Sequence, residues 1–133
     1  HDLPVEILPA LMEIDFGEWE GQELNKLKKG RFWKHVQGKP SEFRFPGGES
    51  FLEAQERVVQ GISILSQQFS EKEMVVCAAH SDVIRLAITH FLGLPLDNFQ
   101  KIRILPASVT VLYLHDGQAF FGPINYTFDF PKL

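Results

Sequence analysis

The sequence predicts an α/β fold in which a central, largely parallel sheet is flanked by helices. Three observations predict it. Met74 to Ala79 (MVVCAA) is a short apolar run without alternation, as in a strand buried on both faces of a parallel sheet. A tight polar turn, His80-Ser81-Asp82, follows at once, and helical spacing resumes from Val83. A long amphipathic segment stands upstream of the run, so a helix, a strand, a turn and a helix occur in order.

Each element has a local reason. His1 to Met12 is apolar and punctuated by Pro4 and Pro9, which implies an extended or loop segment. Glu13 to Gly21 (EIDFGEWEG) holds two glycines among its carboxylates and aromatics. It is read as a loop leading into a helix at about Gln22 to Leu27. Arg31 to Gln37 gathers Phe32, Trp33 and Val36 on one side and is a second short helix. Gly38 to Gly48 is loop. Ser50, followed three residues later by Glu53, is a capping box. Phe51, Leu52, Ala54, Val58, Ile62 and Leu65 then recur at helical spacing, predicting a helix over Phe51 to Phe69.

Val83 to Leu92 is read as a helix stopped by Gly93 and Pro95. Asp97 to Lys101 is expected to make one helical turn. Ile102 to Leu105 and Ser108 to Leu114 are expected strands. Asp116-Gly117 is a hairpin signal, with Ala119 to Gly122 returning. The aromatic tail from Asn125 to Leu133 is expected to pack on the core. Its Asn125-Tyr126-Thr127 sequon is read as chance.

Composition excludes several function classes. With 133 residues, 44% of them hydrophobic, the chain is one domain with a sizeable core, not a disordered tail. The net charge of −4 gives no basic footprint for nucleic acid. No apolar stretch approaches the roughly 18 residues of a membrane span. No secretory signal is visible. Cys77 is the one cysteine and is read as a buried structural thiol. The expected location is the cytoplasm. Five scattered histidines without HExxH make no zinc site, and no cofactor motif is present. A chain that begins His1-Asp2 is expected to have lost an upstream part.

Two places can carry chemistry. A strand followed directly by a helix presents the helix's unpaired amides and positive dipole end to the space beyond the strand, which favours an anion. His80 borders that space, although this unit alone favours a His80 that satisfies a backbone carbonyl while Ser81 or Asp82 caps the helix. In EIDFGEWEG, Glu18 and Glu20 are expected to be solvated. Glu13 directly follows Leu11 and Met12, and partial burial there would suit a general acid. Phe16 and Trp19 are read as core or loop anchors.

LMEIDFGEWEG, FRFPGGES and VVCAAHSDVIRLAITHFLGLP occur in this order with suitable separations. Together they resemble three successive signatures of the histidine phosphatase superfamily, which is phosphoglycerate mutase-like, in its small phosphatase branch. The resemblance covers roughly the carboxyl-terminal two-thirds of such a domain. It implies that residues 1–133 form a single, amino-terminally incomplete domain lacking the first strand and helix. It also implies hydrolysis of a small phosphomonoester through a phosphohistidine. By motif position Glu13 matches the proton donor and His80 the second phosphate-holding histidine. Ser81 stands where the family often has a glycine whose amide faces the phosphate.

The departures are specific. No Arg-His-Gly nucleophile motif occurs in this sequence, and the second phosphate-binding arginine before the glutamate motif has no match. The chain alone is therefore expected to be inactive. Its central strand edge would need the missing amino-terminal segment or a second copy as a homodimer partner. Besides the phosphatase, two readings stand: a non-catalytic anion-binding or assembly module, and a phosphoglycerate mutase. The expected ligand is a small phosphorylated substrate or phosphate, with no nucleic acid, membrane, metal or cofactor.

Overall fold

The computed structural model describes residues 3–70, 72–115 and 117–128. The chain terminus beyond Phe128, Asp116 of the expected hairpin, and His1-Asp2 lie outside the described residues. The longest element is α3 (Phe51–Ser66), preceded by two short helices, α1 (Leu24–Lys29) and α2 (Trp33–Gly38). The fourth helix is α4 (Ser81–Phe91). Single 3-10 turns occur at Pro9–Leu11, Gly17–Trp19 and Pro40–Glu42, and a longer one at Leu96–Lys101.

The capping box forms as expected. The Glu53 amide donates to Ser50 Oγ at 3.2 Å, and the Ser50 amide donates to Glu53 Oε2 at 2.9 Å. From there α3 buries Phe51, Ala54, Gln55 and Val58. It ends at Ser66, three residues before the expected Phe69. Gln67 and Gln68 give the core nothing apolar, and Phe69 is exposed. Helix α4 packs on α3 through Val58, Val83 and Ala87. The buried Gln55 side chain donates to Leu86 O at 3.0 Å and joins the two helices through a satisfied polar group. The α4 helix stops where expected, with the Gly93 amide donating to His90 O at 2.9 Å.

The main core is aromatic. Phe45 meets Phe16, Phe43 and Phe51 edge to face at centroid separations of 5.0, 5.1 and 5.2 Å, and Phe51 continues to Phe99 at 4.9 Å. Ile14, Val36, Ala54 and Leu86 fill the space around these rings. Edge contacts of this kind add to the area each ring buries. Phe16 and Trp19 pack against the cluster, as the sequence predicts.

The expected parallel sheet does not form among the described residues. The one ladder is an antiparallel hairpin of β1 (Leu112–His115) and β2 (Gln118–Phe121). Met74 to Ala79 makes no ladder, and no backbone hydrogen bond joins it to another described segment. A ladder needs a neighbour within about 5 Å, and no described segment provides one. Met74 and Val76 are accordingly 90% and 86% exposed. Cys77 is exposed rather than buried for the same reason. Partial desolvation nevertheless pushes its thiol pKa up.

Ile102 to Leu105 also forms no strand, because the Leu105 amide donates to Asn125 Oδ1 at 2.7 Å instead of to a ladder. The strand expected over Ser108 to Leu114 shortens to β1, with one isolated bridge between Val109 and Tyr126. The described part of the tail is tied by that bridge, but Tyr126 and Phe128 are exposed and do not enter the core. No described helix is long and apolar enough to cross a membrane.

The cap of α3 is open to a direct check. Ser50→Ala removes the hydroxyl that accepts from Glu53 and should destabilise the chain by about 1 kcal/mol. A lower urea midpoint with an unchanged slope is expected. An unchanged midpoint would show that the cap contributes nothing.

Candidate active site

Glu13 lies between the 3-10 turn at Pro9–Leu11 and the buried Ile14, whose side chain is locked in the aromatic core. The Ile14 amide donates to Glu13 Oε1 at 3.0 Å, leaving the other carboxylate oxygen to face outward. That oxygen, Oε2, lies 3.5 Å from His80 Nδ1. The two residues come from opposite halves of the chain and meet at one cleft. With side-chain exposures of 32% for Glu13 and 62% for His80, both face solvent, and an ion pair between them would contribute little to stability.

His80 is the N-cap residue of α4. Its backbone is extended, and its carbonyl accepts from the Ile84 amide at 3.1 Å. Its side chain makes no capping hydrogen bond, so the imidazole is not spent on the helix end. The cleft beside it has a volume of about 700 Å³ and is open to solvent. Met12, Phe16 and Trp19 give it an apolar wall; Glu13, Asp15 and Glu20 give it carboxylates; His80 closes one side. Glu20 is exposed, as expected, but stands at this cleft rather than in open solvent.

Ser81 is the first residue of α4 and does not line this cleft. It borders a second, smaller depression of about 320 Å³ with Ile84, Ile104 and Pro106. Asp82 accepts from Arg85 Nη1 at 2.7 Å, a partly buried pairing between residues three apart on the helix.

The backbone that carries Glu13 is fixed by close approach to the loop over residues 45–50. The Glu49 amide donates to Asp15 O at 2.9 Å, and the Glu18 amide to Pro46 O at 2.8 Å. A Cβ at Gly17 would fall 2.2 Å from Pro46 O, and one at Gly48 would fall 2.3 Å from Asp15 O. Gly17 also has φ +54°, a conformation that disfavours side chains. The two loops can therefore touch only because both positions are glycine.

One further pair was not visible in the sequence. Arg57, on α3, meets the Glu49 carboxylate with two parallel hydrogen bonds, Nε to Oε1 and Nη2 to Oε2, both 2.8 Å. The Asp15 amide donates to Glu49 Oε2 at 3.1 Å. An arginine on a helix face and a glutamate before a cap read as solvated residues, and no spacing rule links them. Arg57 holds the Glu49 carboxyl below the ordinary carboxylate range, against the opposing effect of burial.

Residues 1–127 match the histidine phosphatase superfamily (branch 1). The chain belongs to that family. It is 31% identical over 118 residues to a 2,3-bisphosphoglycerate-dependent phosphoglycerate mutase of Thermoplasma acidophilum, covering 88% of this chain and 55% of the relative. It is 28% identical over 114 residues to the adenosylcobalamin/alpha-ribazole phosphatase of Escherichia coli, covering 78% of this chain and 52% of the relative. The chain thus spans about half the length of these curated relatives. Among solved structures, a mycobacterial glucosyl-3-phosphoglycerate phosphatase superposes with a TM-score of 0.80 at 22% identity, over 95% of this chain and 65% of that one. That likeness concerns the fold alone: the chain follows the backbone of a histidine phosphatase, although the only sheet among its described residues is the antiparallel hairpin.

The depressed Glu49 pKa sets a pH dependence. A carboxylate whose folded pKa lies below its unfolded value contributes stability that is fully present above the unfolded pKa. That contribution fades as pH falls through the folded value. Thermal unfolding followed from neutral to strongly acid pH should therefore show an acid loss of stability that is reduced in Glu49→Gln. Identical pH profiles for the two proteins would contradict the assignment.

Proposed function

We propose that the whole protein containing this chain hydrolyses a small phosphomonoester through a phosphohistidine. The observation that carries the proposal is the approach of Glu13 Oε2 to His80 Nδ1, 3.5 Å apart at the mouth of one cleft. Family membership and the phosphatase names among its relatives support it. In this reading a histidine of the completed domain attacks phosphorus as the bond to the leaving oxygen breaks. Protonated Glu13 gives its proton to that oxygen. The Glu13 carboxylate then takes a proton from water as the water attacks phosphorus and the P–N bond breaks, releasing phosphate and the free histidine. His80 holds a phosphoryl oxygen beside the amides at the start of α4. Ser81 contributes to this reading through its backbone amide, since the residue borders the other depression and not this cleft.

The proton-donor role has a specific signature. Glu13→Gln in the whole protein should slow hydrolysis of alkyl phosphates, with poor leaving groups, by about a hundredfold or more. Activated aryl phosphates need little protonation and should be slowed far less. Equal losses on both classes would count against the role. The similarity to a mutase favours one other outcome, transfer of the phosphoryl group to a second hydroxyl. Following phosphoryl acceptance by water and by phosphoglycerate in one assay separates the two.

The proposal also assigns a partner to Met74–Ala79. The described cleft offers a phosphoryl dianion three carboxylates and one imidazole, a set that repels it. The cations and the nucleophile must then come from a segment that docks on this exposed run as a neighbouring strand, completing the domain. A family relative of which this chain matches 55% has room for such a segment. In the whole protein, amides 74–79 should exchange slowly with solvent, whereas in the 133-residue chain they should exchange fast and the chain should not turn over an aryl phosphate. Fast exchange in the whole protein would remove the docked strand. Slow exchange in the isolated chain, with a doubled mass, would replace it by a second copy.

A further inference from the structure

We propose that Arg57, working through Glu49, is a positioning residue for Glu13. The inference rests on the reading of Glu13 as the proton donor and adds a device that sets where the proton is delivered.

The geometry is a complete use of one guanidinium. Nη1 donates to Ala10 O at 2.8 Å and to Met12 O at 3.1 Å, and Nη2 reaches Glu13 O at a long 3.5 Å. Nε and Nη2 hold Glu49. All five N–H donors are thus directed at acceptors, and three of those acceptors are carbonyls of the segment that ends on Glu13. Glu49, once held, accepts the Asp15 amide on the far side of Glu13. The clamp therefore grips the backbone immediately before and two residues after the acid.

The position of that backbone decides the position of the carboxyl. Glu13 Oε1 is tied to the Ile14 amide, so a shift of the 12–15 backbone moves Oε2 relative to His80 by the same amount. A misplacement of about 1 Å is enough to cost a proton transfer much of its rate. Arg57 and Glu49 are both largely shielded, with side-chain exposures of 26% and 22%, which makes their paired hydrogen bonds stronger than a surface ion pair. A lysine cannot reproduce the arrangement, because its ammonium has three donors on a point charge and no planar fork. The same saturation excludes Arg57 from holding phosphate: its donors are already committed and it does not line the cleft.

The test uses the whole protein with Arg57→Lys, Arg57→Met and Glu49→Gln, each compared with Glu13→Gln. Two readouts are taken: kcat on an alkyl and on an activated aryl phosphate, and amide exchange over residues 10–18. If the clamp positions the acid, Arg57→Met should lose about tenfold more activity on the alkyl than on the aryl substrate. Arg57→Lys should fall between it and the unaltered protein, and exchange should quicken at residues 10–18 while α3 stays protected. A purely structural role predicts equal losses on both substrates with exchange quickened throughout, and that result would overturn the proposal. So would unchanged exchange at 10–18 in both Arg57 variants. If Glu13→Gln shows no leaving-group dependence while the Arg57 variants loosen only residues 10–18, the proton-donor reading fails and the clamp on the loop stands.

Discussion

The Glu13 side of the candidate site depends on the contact between two loops, residues 13–18 and 45–50. Their backbones exchange hydrogen bonds directly, at Glu49 to Asp15 and Glu18 to Pro46. Backbones come this close only where no Cβ intervenes, which is why Gly17 and Gly48 face each other there. The contact also places Phe16 and Trp19 against Phe43 and Phe45, so the aromatic core and the acid-bearing loop are built by the same approach. Glu13 gains a fixed position as a consequence of core packing, without itself being in the core.

The other half of the site is held differently. His80 stands at the junction of an unpaired extended segment and a well-packed helix. Its position is set from the carboxyl side, through Val83, Leu86 and Ala87 of α4, and hardly from Met74–Ala79. Segments with few buried contacts and exposed backbone groups open at low free-energy cost. The two catalytic candidates therefore sit on supports of unequal stiffness. A strand docked along Met74–Ala79 would stiffen the His80 side and bury Met74 and Val76 in one step, which links domain completion to assembly of the site.

How much of this was legible in the sequence differs from element to element. Ser50 and Glu53 announced the start of α3 because a capping box is a local interaction between residues three apart. Gly93 announced the end of α4 for a similarly local reason. Glu13 and His80 stand out locally, one after an apolar pair and one at a strand-to-helix turn, and the resemblance of their motifs implies their roles; their meeting at one cleft has no local signature. The parallel sheet was inferred from the apolarity of MVVCAA, which records what a strand expects to touch rather than what the described residues provide. The length of β1 was overestimated because alternation in Ser108 to Leu114 says nothing about how far a partner strand extends. The Arg57–Glu49 pair was invisible, since its acceptors are backbone carbonyls and carry no sequence identity.

The charges of the cleft connect the proposed docking strand with the exposed run Met74–Ala79. Phosphoryl transfer is driven chiefly by cations and oriented dipoles aimed at the equatorial oxygens. Here three described arginines serve other ends: Arg57 holds loop carbonyls and Glu49, Arg44 pairs with Glu53, and Arg85 pairs with Asp82. Each is held by a carboxylate from its own neighbourhood, and none lines the cleft. Diverting any of them to phosphate would take a cation from its carboxylate and, for Arg57, release the loop that carries Glu13. Under the proposed function these arginines fix geometry, and charge for the phosphoryl group would come with the strand proposed to dock on Met74–Ala79.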